Sequence, residues 1–477
     1  MESEGNNLLR DLKMETGHHG SEGSVNDLYH TCHHGQVAEV EGRFCRLFKP
    51  KMARPDTSSR HLLNELGKTD GPMDELNAAG AIGDSNVPAG FTFFGQFIDH
   101  DITLDTVSQL DSLAAPGSIR NTRTPTLDLD CVYAGGRDAT PYIYKPDGRI
   151  ITRSATDTHT GDKFRDLLRI RVGSQGGKPI RRAVIGDPRN DENPFVSQLQ
   201  LAMIEVHNEI LSHTHDFEEA RDTLIHYYHR VILEDFLPRL IDEDLLNDIC
   251  TNGNYYYRPK QGKLPCMPVE FSVAAYRYGH SQVRATYDYN DNCKDVTVFE
   301  LGSFRDVDSK IDWKYLFELD GGGDTLMARK IDPALPHALM AMPMRITGIE
   351  GDSLAARNLR RGLSFRLPSG QAAAQKMEAD GKLIGGSVLE VNDALVDLGF
   401  KQTPLWYYCL EEAQTFGSGN KLGPVGGRVV AEVIVGLLEE YRNRTGKGLD
   451  YLPSENVPQE DANQFQIIDL LKYAQVA

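Results

Sequence analysis

The chain has 477 residues and a formal net charge of -18. A field of that sign would repel nucleic acid and anionic membranes, so we exclude both as partners, whereas the length allows a large buried core. No run of eighteen apolar residues occurs, and the N-terminus is polar and acidic with no apolar signal-peptide core. We therefore expect no membrane span, and a location in the cytoplasm or outside the cell after export without a cleavable signal peptide.

The cysteines are odd in number and lack the paired spacing of metal sites or redox motifs. This usage predicts free thiols in a reducing compartment rather than a disulfide framework. The cluster His30, Cys32, His33 and His34 has no second ligand pair at zinc-finger spacing, which favours a surface arm over a metal site. The seven cysteines are Cys32, Cys45, Cys131, Cys250, Cys266, Cys293 and Cys409.

The sequence divides into an arm, one domain and a tail. Residues 1–45 are rich in Gly and His without sustained periodicity and predict a partly disordered N-terminal arm. Residues 46–450 carry the periodic segments and predict a single large catalytic domain. Residues 451–477 are expected to pack on that domain as a C-terminal tail.

Apolar residues at helical spacing predict most of the domain's elements. The first helix covers 87–104, whereas 105–193 is rich in Gly, Pro, Asp and Thr and predicts long loops and short hairpins. No βαβ alternation appears, so the fold class is mainly α with little β structure. Further helices are predicted from 195 onward and at about 222–240, 268–280, 333–343, 352–361, 388–399, 404–415 and 424–443.

The apolar segment Phe93 to Asp105 contains a cluster of polar side chains. Gln96, Asp99 and His100 share one helix face, and Asp101 points elsewhere. Burying such groups is costly without partners, which indicates a cofactor or metal on both sides of the helix. A neutral imidazole at His100 could take a proton from one peroxide oxygen and return it to the other. The alternative is a satisfied core histidine on a solvated stripe.

The run Gly95-Gln96-Phe97-Ile98-Asp99-His100-Asp101 resembles the distal motif of the animal haem peroxidases, in the peroxidase–cyclooxygenase superfamily. The resemblance implies that His100 is the distal base and that Asp99 can form an ester to a haem methyl group. It also implies that Gln96 lies in the substrate and halide pocket, and that Asp101 binds calcium.

A candidate calcium loop follows the distal segment. Thr124, Thr126, Asp128 and Asp130 alternate, so in an extended segment their side chains would point one way, and their oxygens suit a hard cation. The family's calcium loop matches these positions, with Asp130 where members often have serine. The alternative is an amphipathic strand with an acidic outer face.

The segment Gly186 to Asn208 is a turn that leads into a long helix. Read alone it is a charged helix-start loop. The resemblance implies that Arg189 is the distal partner of His100, a fixed cation that stabilises charge on the breaking O–O bond. It also implies that Glu192 forms a second haem ester. Asn193 stands where some members carry a methionine linked to a haem vinyl group, which puts chloride oxidation in doubt.

The run Tyr276-Arg277-Tyr278-Gly279-His280 resembles the family's proximal motif. The resemblance implies that His280 is the fifth ligand of the haem iron, with its other ring nitrogen held by Asn358. Arg277, three residues earlier, would face the same way and pair with a haem propionate. The alternative for His280 is a histidine at a helix C-terminus.

Taken together, these residues predict a haem peroxidase that holds haem b, covalently through Asp99 and Glu192, and calcium. Its expected partners are hydrogen peroxide and small donors such as phenols, thiocyanate, iodide or bromide. A fatty-acid dioxygenase or cyclooxygenase needs a tyrosine three residues before the proximal histidine, and that position is Arg277. Tyr276 is one residue out and is expected to point to another side. A non-catalytic haem-binding scaffold should have lost a distal group, and a helical protein without haem leaves the polar cluster unexplained.

Overall fold

The computed structural model describes residues 42–48, 60–78, 83–105, 115–175, 177–260, 264–301, 309–319, 323–344, 349, 351–448 and 465–474. The cluster at 30–34 and the arm up to residue 41 lie outside the described residues. The described part is mainly helical, as the periodicity predicted.

The helices run through the whole described chain and vary from one turn to six. Their bounds are Arg60–Gly67, Gly90–Ile102, Asp130–Tyr133, Pro194–Thr214, Phe217–Val231, Leu237–Leu240, Glu243–Asn252, Val269–Ser272, Gly279–Gln282, His337–Met340, Leu354–Ser364, Gly370–Ala379, Asp393–Asp397, Leu405–Gly417, Pro424–Thr445 and Ile467–Tyr473. A π-turn, Ile232–Phe236, and 3₁₀ turns such as Pro188–Asp191 and Ala275–Tyr278 join some of them.

The strands form small sheets at the edges of the helical body. Gly42–Cys45 lies between Arg120–Asn121, antiparallel, and Met267–Pro268, parallel. Two antiparallel hairpins occupy the long loop region predicted at 105–193. The remaining strand pairs are Thr152–Thr156 with Lys163–Leu167, Arg169–Gln175 with Lys178–Ala183, Asp84–Pro88 with Met327–Arg329, and Thr286–Tyr287 with Val296–Thr297.

Several predicted helices are shorter than the sequence indicated. The helix expected at 87–104 is Gly90–Ile102, because the residues before it pair as a strand. The one expected at 268–280 breaks at Ala274, whose backbone leaves the helical region at φ -130° and ψ -79°. Those expected at 333–343 and 388–399 shrink to His337–Met340 and Asp393–Asp397.

Four helices position the two walls of the candidate site. The distal helix, Gly90–Ile102, is buried at every position except Gln96, and its buried positions include the polar residues Asp99, His100 and Asp101. It packs against the long helix Pro194–Thr214, with Phe93 against Phe195. The segment that carries Arg277 packs instead on Leu405–Gly417 and Pro424–Thr445. The two walls of the candidate site therefore rest on different helices.

The structure corrects the prediction that all cysteines are free thiols. Cys45 and Cys266 form a disulfide that links two neighbouring strands. Their wide separation in sequence hid the pair, because only the sheet brings the two strands together. Cys131, Cys250, Cys293 and Cys409 are free.

The described part of the C-terminal tail contacts the helical body. The backbone N–H of Phe465 donates to Glu234 and that of Ile467 to Asp235, both on the π-turn. The Phe465 ring stacks on Tyr227. Within the described ranges, no helix combines the length and apolar character needed to cross a bilayer.

Candidate functional site

A cavity lies between the distal helix and the segment that carries His280. It encloses about 600 Å³ of empty space, part of it open to solvent. Gln96 and Asp99 line one wall, and Tyr276, Arg277 and His280 line the other. A smaller space of about 260 Å³ adjoins it on the far side of Arg277 and is lined by Thr103, Asp105 and Arg361, among others.

His100 is buried at the C-terminal end of the distal helix, next to Asp99 of the cavity wall. Its Nδ1 lies 2.7 Å from Oδ1 of Asn190. Asn190 Nδ2 donates to Gln200 Oε1 at 2.8 Å, and Gln200 Nε2 donates to the backbone oxygen of Cys131 at 3.1 Å. The sequence did not point to Asn190 or Gln200, because neither belongs to a motif.

Arg189 lies against the same helix end. Its Nη2 donates to the backbone oxygens of His100, at 3.1 Å, and Thr103, at 2.6 Å. The same nitrogen donates to Asp187 at 2.8 Å, whereas Nη1 is buried and has no hydrogen-bond partner among the described residues. Arg189 Nη1 is therefore a buried donor beside His100 that no described residue uses.

Asp187 joins this arginine to a second one. Arg123 Nε lies 2.9 Å from Asp187, and Arg123 Nη1 lies 2.9 Å from Asp130. Burial raises the pKa of Asp187, but the positive charges of Arg123 and Arg189 outweigh it and leave the pKa well below its usual range. The row Arg189, Asp187, Arg123 and Asp130 thus alternates in charge through the interior.

The two predicted ester residues lie near each other. Asp99 lines the cavity and its Oδ1 accepts from Thr103 Oγ1 at 3.0 Å. Glu192 accepts a hydrogen bond from Gln96 Nε2. Asn193 Nδ2 lies 3.4 Å from Gln96 Oε1, so it contacts the distal helix.

The candidate calcium loop is not an extended segment, so that expectation is wrong. Leu127 and Leu129 are buried with positive φ, 54° and 56°, and turn the chain between the acidic residues. Asp101 is fully buried and accepts from the N–H groups of Leu129 and Cys131. Alternating polar residues suggested a strand, but the burial of both leucines curls the loop around Asp101.

Two carboxylates of this loop have raised pKa values. Burial, with the nearby charge of Asp128, raises the pKa of Asp101 to about 8, and burial with the charge of Asp130 raises that of Asp128 to about 6. Asp128 Oδ1 is buried and has no hydrogen-bond partner in the part of the chain that the structure describes, which suits a cation. Asp130 pairs instead with Arg123, and Thr126 Oγ1 accepts from Arg444.

The structure brings together the predicted proximal residues. Asn358 Nδ2 and His280 Nδ1 lie 2.7 Å apart, and Arg277 Nη1 donates to Asn358 Oδ1 at 2.6 Å. The amide oxygen of Asn358 therefore faces Arg277, whereas the sequence predicted that this side chain would accept from the imidazole. Burial and the nearby charge of Arg361 lower the pKa of Arg277 to about 9.

Tyr276 does not point to another side as expected, because it lines the same cavity as Arg277. Its hydroxyl donates to the backbone oxygen of Gly95 at 3.2 Å, and its ring stacks on Phe271. The break at Ala274 replaces the regular helix with a 3₁₀ turn, which changes the side-chain directions.

A separate cluster of Asp70, Asp74 and His337 has metal-like spacing, and it is the only such cluster in the part of the chain that the structure describes. Asp74 accepts from the N–H groups of Asp70 and Leu76 and from His337 Nδ1. Because these bonds satisfy the buried carboxylate, the cluster is a turn anchor.

Comparisons with known proteins agree with this fold. The family described as animal haem peroxidase matches residues 109–362. Peroxidase A from Dictyostelium discoideum has a similar fold, with 15% identity, a TM-score of 0.59, and coverage of 85% of this chain and 88% of that one. A variant of Oryza sativa fatty acid α-dioxygenase solved with palmitic acid has 13% identity, a TM-score of 0.55, and coverage of 92% and 82%. The Arabidopsis thaliana fatty acid α-dioxygenase has 13% identity, a TM-score of 0.53, and coverage of 91% and 76%. No curated protein matches the chain.

Proposed function

Because the chain belongs to the animal haem peroxidase family, a family of haem-dependent oxidoreductases, we propose that it reduces hydrogen peroxide and oxidises small donors. One observation carries the proposal. His100 and Arg189 are fixed together at the end of the distal helix, and Arg189 Nη1 is a buried donor that has no hydrogen-bond partner among the described residues. A base beside a spare cationic donor is the arrangement that O–O bond cleavage requires.

The cavity residues suit haem b. His280 would be the fifth iron ligand, Arg277 would meet a haem carboxylate, and Asp99 and Glu192 are available for ester links. Haem, when bound, would supply the redox chemistry that reduces the peroxide and oxidises the donor. The spaces on both sides of Arg277 suit a group larger than either space alone.

The chain's own residues then move one proton. Nε2 of His100 takes it from the peroxide oxygen that is attacked and gives it to the oxygen that leaves as water. Arg189 stabilises the negative charge that develops on that leaving oxygen. Gln96, on the cavity wall, would orient the donor. The proposed donors are phenols, thiocyanate, iodide and bromide. Chloride is left out, since Asn193 has no thioether sulfur to link to a haem vinyl group.

Calcium is the second proposed cofactor. Its strongest ligands would be the carboxylates of Asp101 and Asp128, since Oδ1 of Asp128 has no hydrogen-bond partner among the described residues. Oxygens of Thr124, Thr126 and Asp130 would complete the coordination shell. A divalent cation there would keep both carboxylates ionised despite their burial. The shell would then hold the end of the distal helix in place.

The test is an absorption spectrum of purified, haem-supplied protein before and after hydrogen peroxide and after acid–acetone extraction. We expect a Soret band that shifts with peroxide and stays with the protein. His100→Ala should slow the shift by about 10²- to 10⁴-fold and leave the haem bound. The exposed His213 offers a control, since His213→Ala should react like the wild type. Equal rates in His100→Ala and the wild type would contradict the assigned role.

Fatty-acid oxygenation is the second candidate, favoured by Tyr276 on the cavity wall. Its hydroxyl donates to a backbone oxygen, which cannot accept the proton that a tyrosine releases when it is oxidised to a radical. We therefore prefer the peroxidase reaction to fatty-acid oxygenation. Oxygen uptake with palmitic acid that is lost in Tyr276→Phe would reverse the preference.

A further inference from the structure

A row of three buried side chains connects His100 to the backbone of the candidate calcium loop. The row runs from His100 through Asn190 and Gln200 to the carbonyl of Cys131. All three side chains are at most 1% exposed. Water therefore cannot replace any of these hydrogen bonds, and each must be made within the protein.

The carbonyl at the end of the row fixes the direction of every bond in it. A backbone oxygen only accepts, so the amide nitrogen of Gln200 must face Cys131 and its oxygen must face Asn190. Asn190 must then present its nitrogen to Gln200 and its oxygen to His100. His100 can meet that oxygen only by donating from Nδ1. Its proton is thereby placed on Nδ1, and Nε2 carries the lone pair.

Neighbouring contacts hold the anchor of the row in place. A Cβ on Gly186 would come within 2.4 Å of the oxygen of Cys131, so only glycine allows the chain to pass there. The N–H of Cys131 donates to Asp101, and the oxygen of Gly186 accepts from Arg123. Gln200 sits on the long helix Pro194–Thr214. Gln200, the last side chain of the row, and Cys131, its backbone end, are therefore both held in place by their neighbours.

We propose that Asn190, itself oriented by Gln200, is a positioning residue that fixes His100 in the tautomer with Nδ1 protonated and the lone pair of the base on Nε2. Its catalytic consequence rests on the proposed function, because the opposite neutral tautomer carries its lone pair on Nδ1 and has none on Nε2 to take the peroxide proton. The tautomer itself does not depend on haem.

The test reads the tautomer and the reaction separately. Full-length protein labelled with ¹⁵N-histidine is studied by NMR before haem is supplied, with the His100 signals assigned from His100→Gln. We expect a protonated Nδ1 in the wild type and a shift toward protonated Nε2 in Asn190→Leu. With haem, Asn190→Leu should slow the peroxide-dependent Soret shift by about 10²- to 10⁴-fold, and Asn190→Asp, which keeps an acceptor, should recover most of that rate.

A matched control comes from the same helix. Gln198 is a buried glutamine whose Nε2 has no hydrogen-bond partner among the described residues, so Gln198→Leu should change neither readout. If Asn190→Leu does not fold, the same measurements on Gln200→Met test the proposal. That variant leaves Asn190 in place but frees its amide to turn, so the His100 tautomer should again shift toward protonated Nε2. A protonated Nε2 in the wild type would overturn the proposal, as would an unchanged tautomer in the variant. Expected tautomers without any peroxide reaction in the wild type would instead reject the proposed function and keep the positioning role.

Discussion

The two walls of the cavity are built differently. Behind the distal wall, His100 and Arg189 are held by hydrogen bonds that end on backbone carbonyls and buried acids, so their positions are set without a cofactor. On the proximal wall, His280 is only partly buried, and its neighbour Asn358 is shared with Arg277. The difference indicates that the residues behind the distal wall are preorganised, whereas Asn358 is not in the arrangement that the proposed haem ligation by His280 would need.

The proximal hydrogen bonds show what must change. Iron ligation through Nε2 of His280 requires a proton on Nδ1 and an acceptor opposite it. Asn358 now presents its amide nitrogen there, because its oxygen accepts from Arg277. We expect the amide to turn once a haem carboxylate draws Arg277 away. Haem binding would thus be coupled to the orientation of its own axial ligand.

The largest effect on stability should come from the distal wall. Arg123→Met removes the cation between Asp187 and Asp130, which leaves Asp130 without its ion-pair partner and Asp187 with Arg189 alone, and it should lower the free energy of unfolding by about 3–5 kcal/mol. Urea unfolding of the haem-free chain measures it. Arg149→Met breaks an exposed pair with Asp147 and should leave the unfolding midpoint unchanged. Equal midpoints in the two variants would show that the distal wall is not held by this charge row.

The proximal wall should respond chiefly in haem affinity. Asn358→Leu removes the contact that orients His280 and should weaken haem binding by about 10- to 100-fold. It should lower the stability of the haem-free chain by about 1–3 kcal/mol, since Arg277 Nη1 loses its acceptor. Haem titration followed at the Soret band, with urea unfolding beside it, measures both. As a control, the exposed Asn252→Leu should change neither quantity. If Asn358→Leu lowers the stability of the haem-free chain as much as Arg123→Met does, the contrast between the two walls is lost.

The sequence predicted the long helices and motif positions because each has a local signal. The apolar spacing of Pro424–Thr445 and the run around His100 can be read without knowledge of the rest of the chain. Local spacing could not predict the break at Ala274, which put Tyr276 and Arg277 on one wall. Nor could it predict the positive φ values at Leu127 and Leu129, which depend on burial around Asp101.

The supporting contacts were out of reach for a different reason. Asn190 is 90 residues from His100, and Arg361 is 256 residues from its partner Asp105. Neither residue type is unusual at its position, and only the fold brings each pair together. The chemistry of the site was thus readable from motifs, whereas the groups that fix its geometry required the structure.

The smallest effect should be a pH dependence that arises behind the distal wall. Burial, with a further contribution from Arg221, lowers the pKa of His207 from its usual 6.5 to about 4, although Nε2 bonds to the oxygen of Gly148. The folded state therefore favours the neutral imidazole. Its contribution is fully present above pH 6.5 and is lost as the pH falls from there toward 4, because the unfolded chain binds the proton first.

Between pH 7.5 and 5.5 this single group should cost about 1 kcal/mol of unfolding free energy. Urea unfolding of the wild type and His207→Gln at both pH values isolates it, since the variant should lose less stability on acidification. His229, buried on the next helix with a pKa also near 4, remains in both proteins and adds an equal background. Because both histidines lie on helices behind the distal wall, mild acid should loosen that wall first, and hydrogen exchange would then rise around Gln200 before it rises around His280. If hydrogen exchange rises first around His280, the stability of the distal wall does not depend on these neutral histidines.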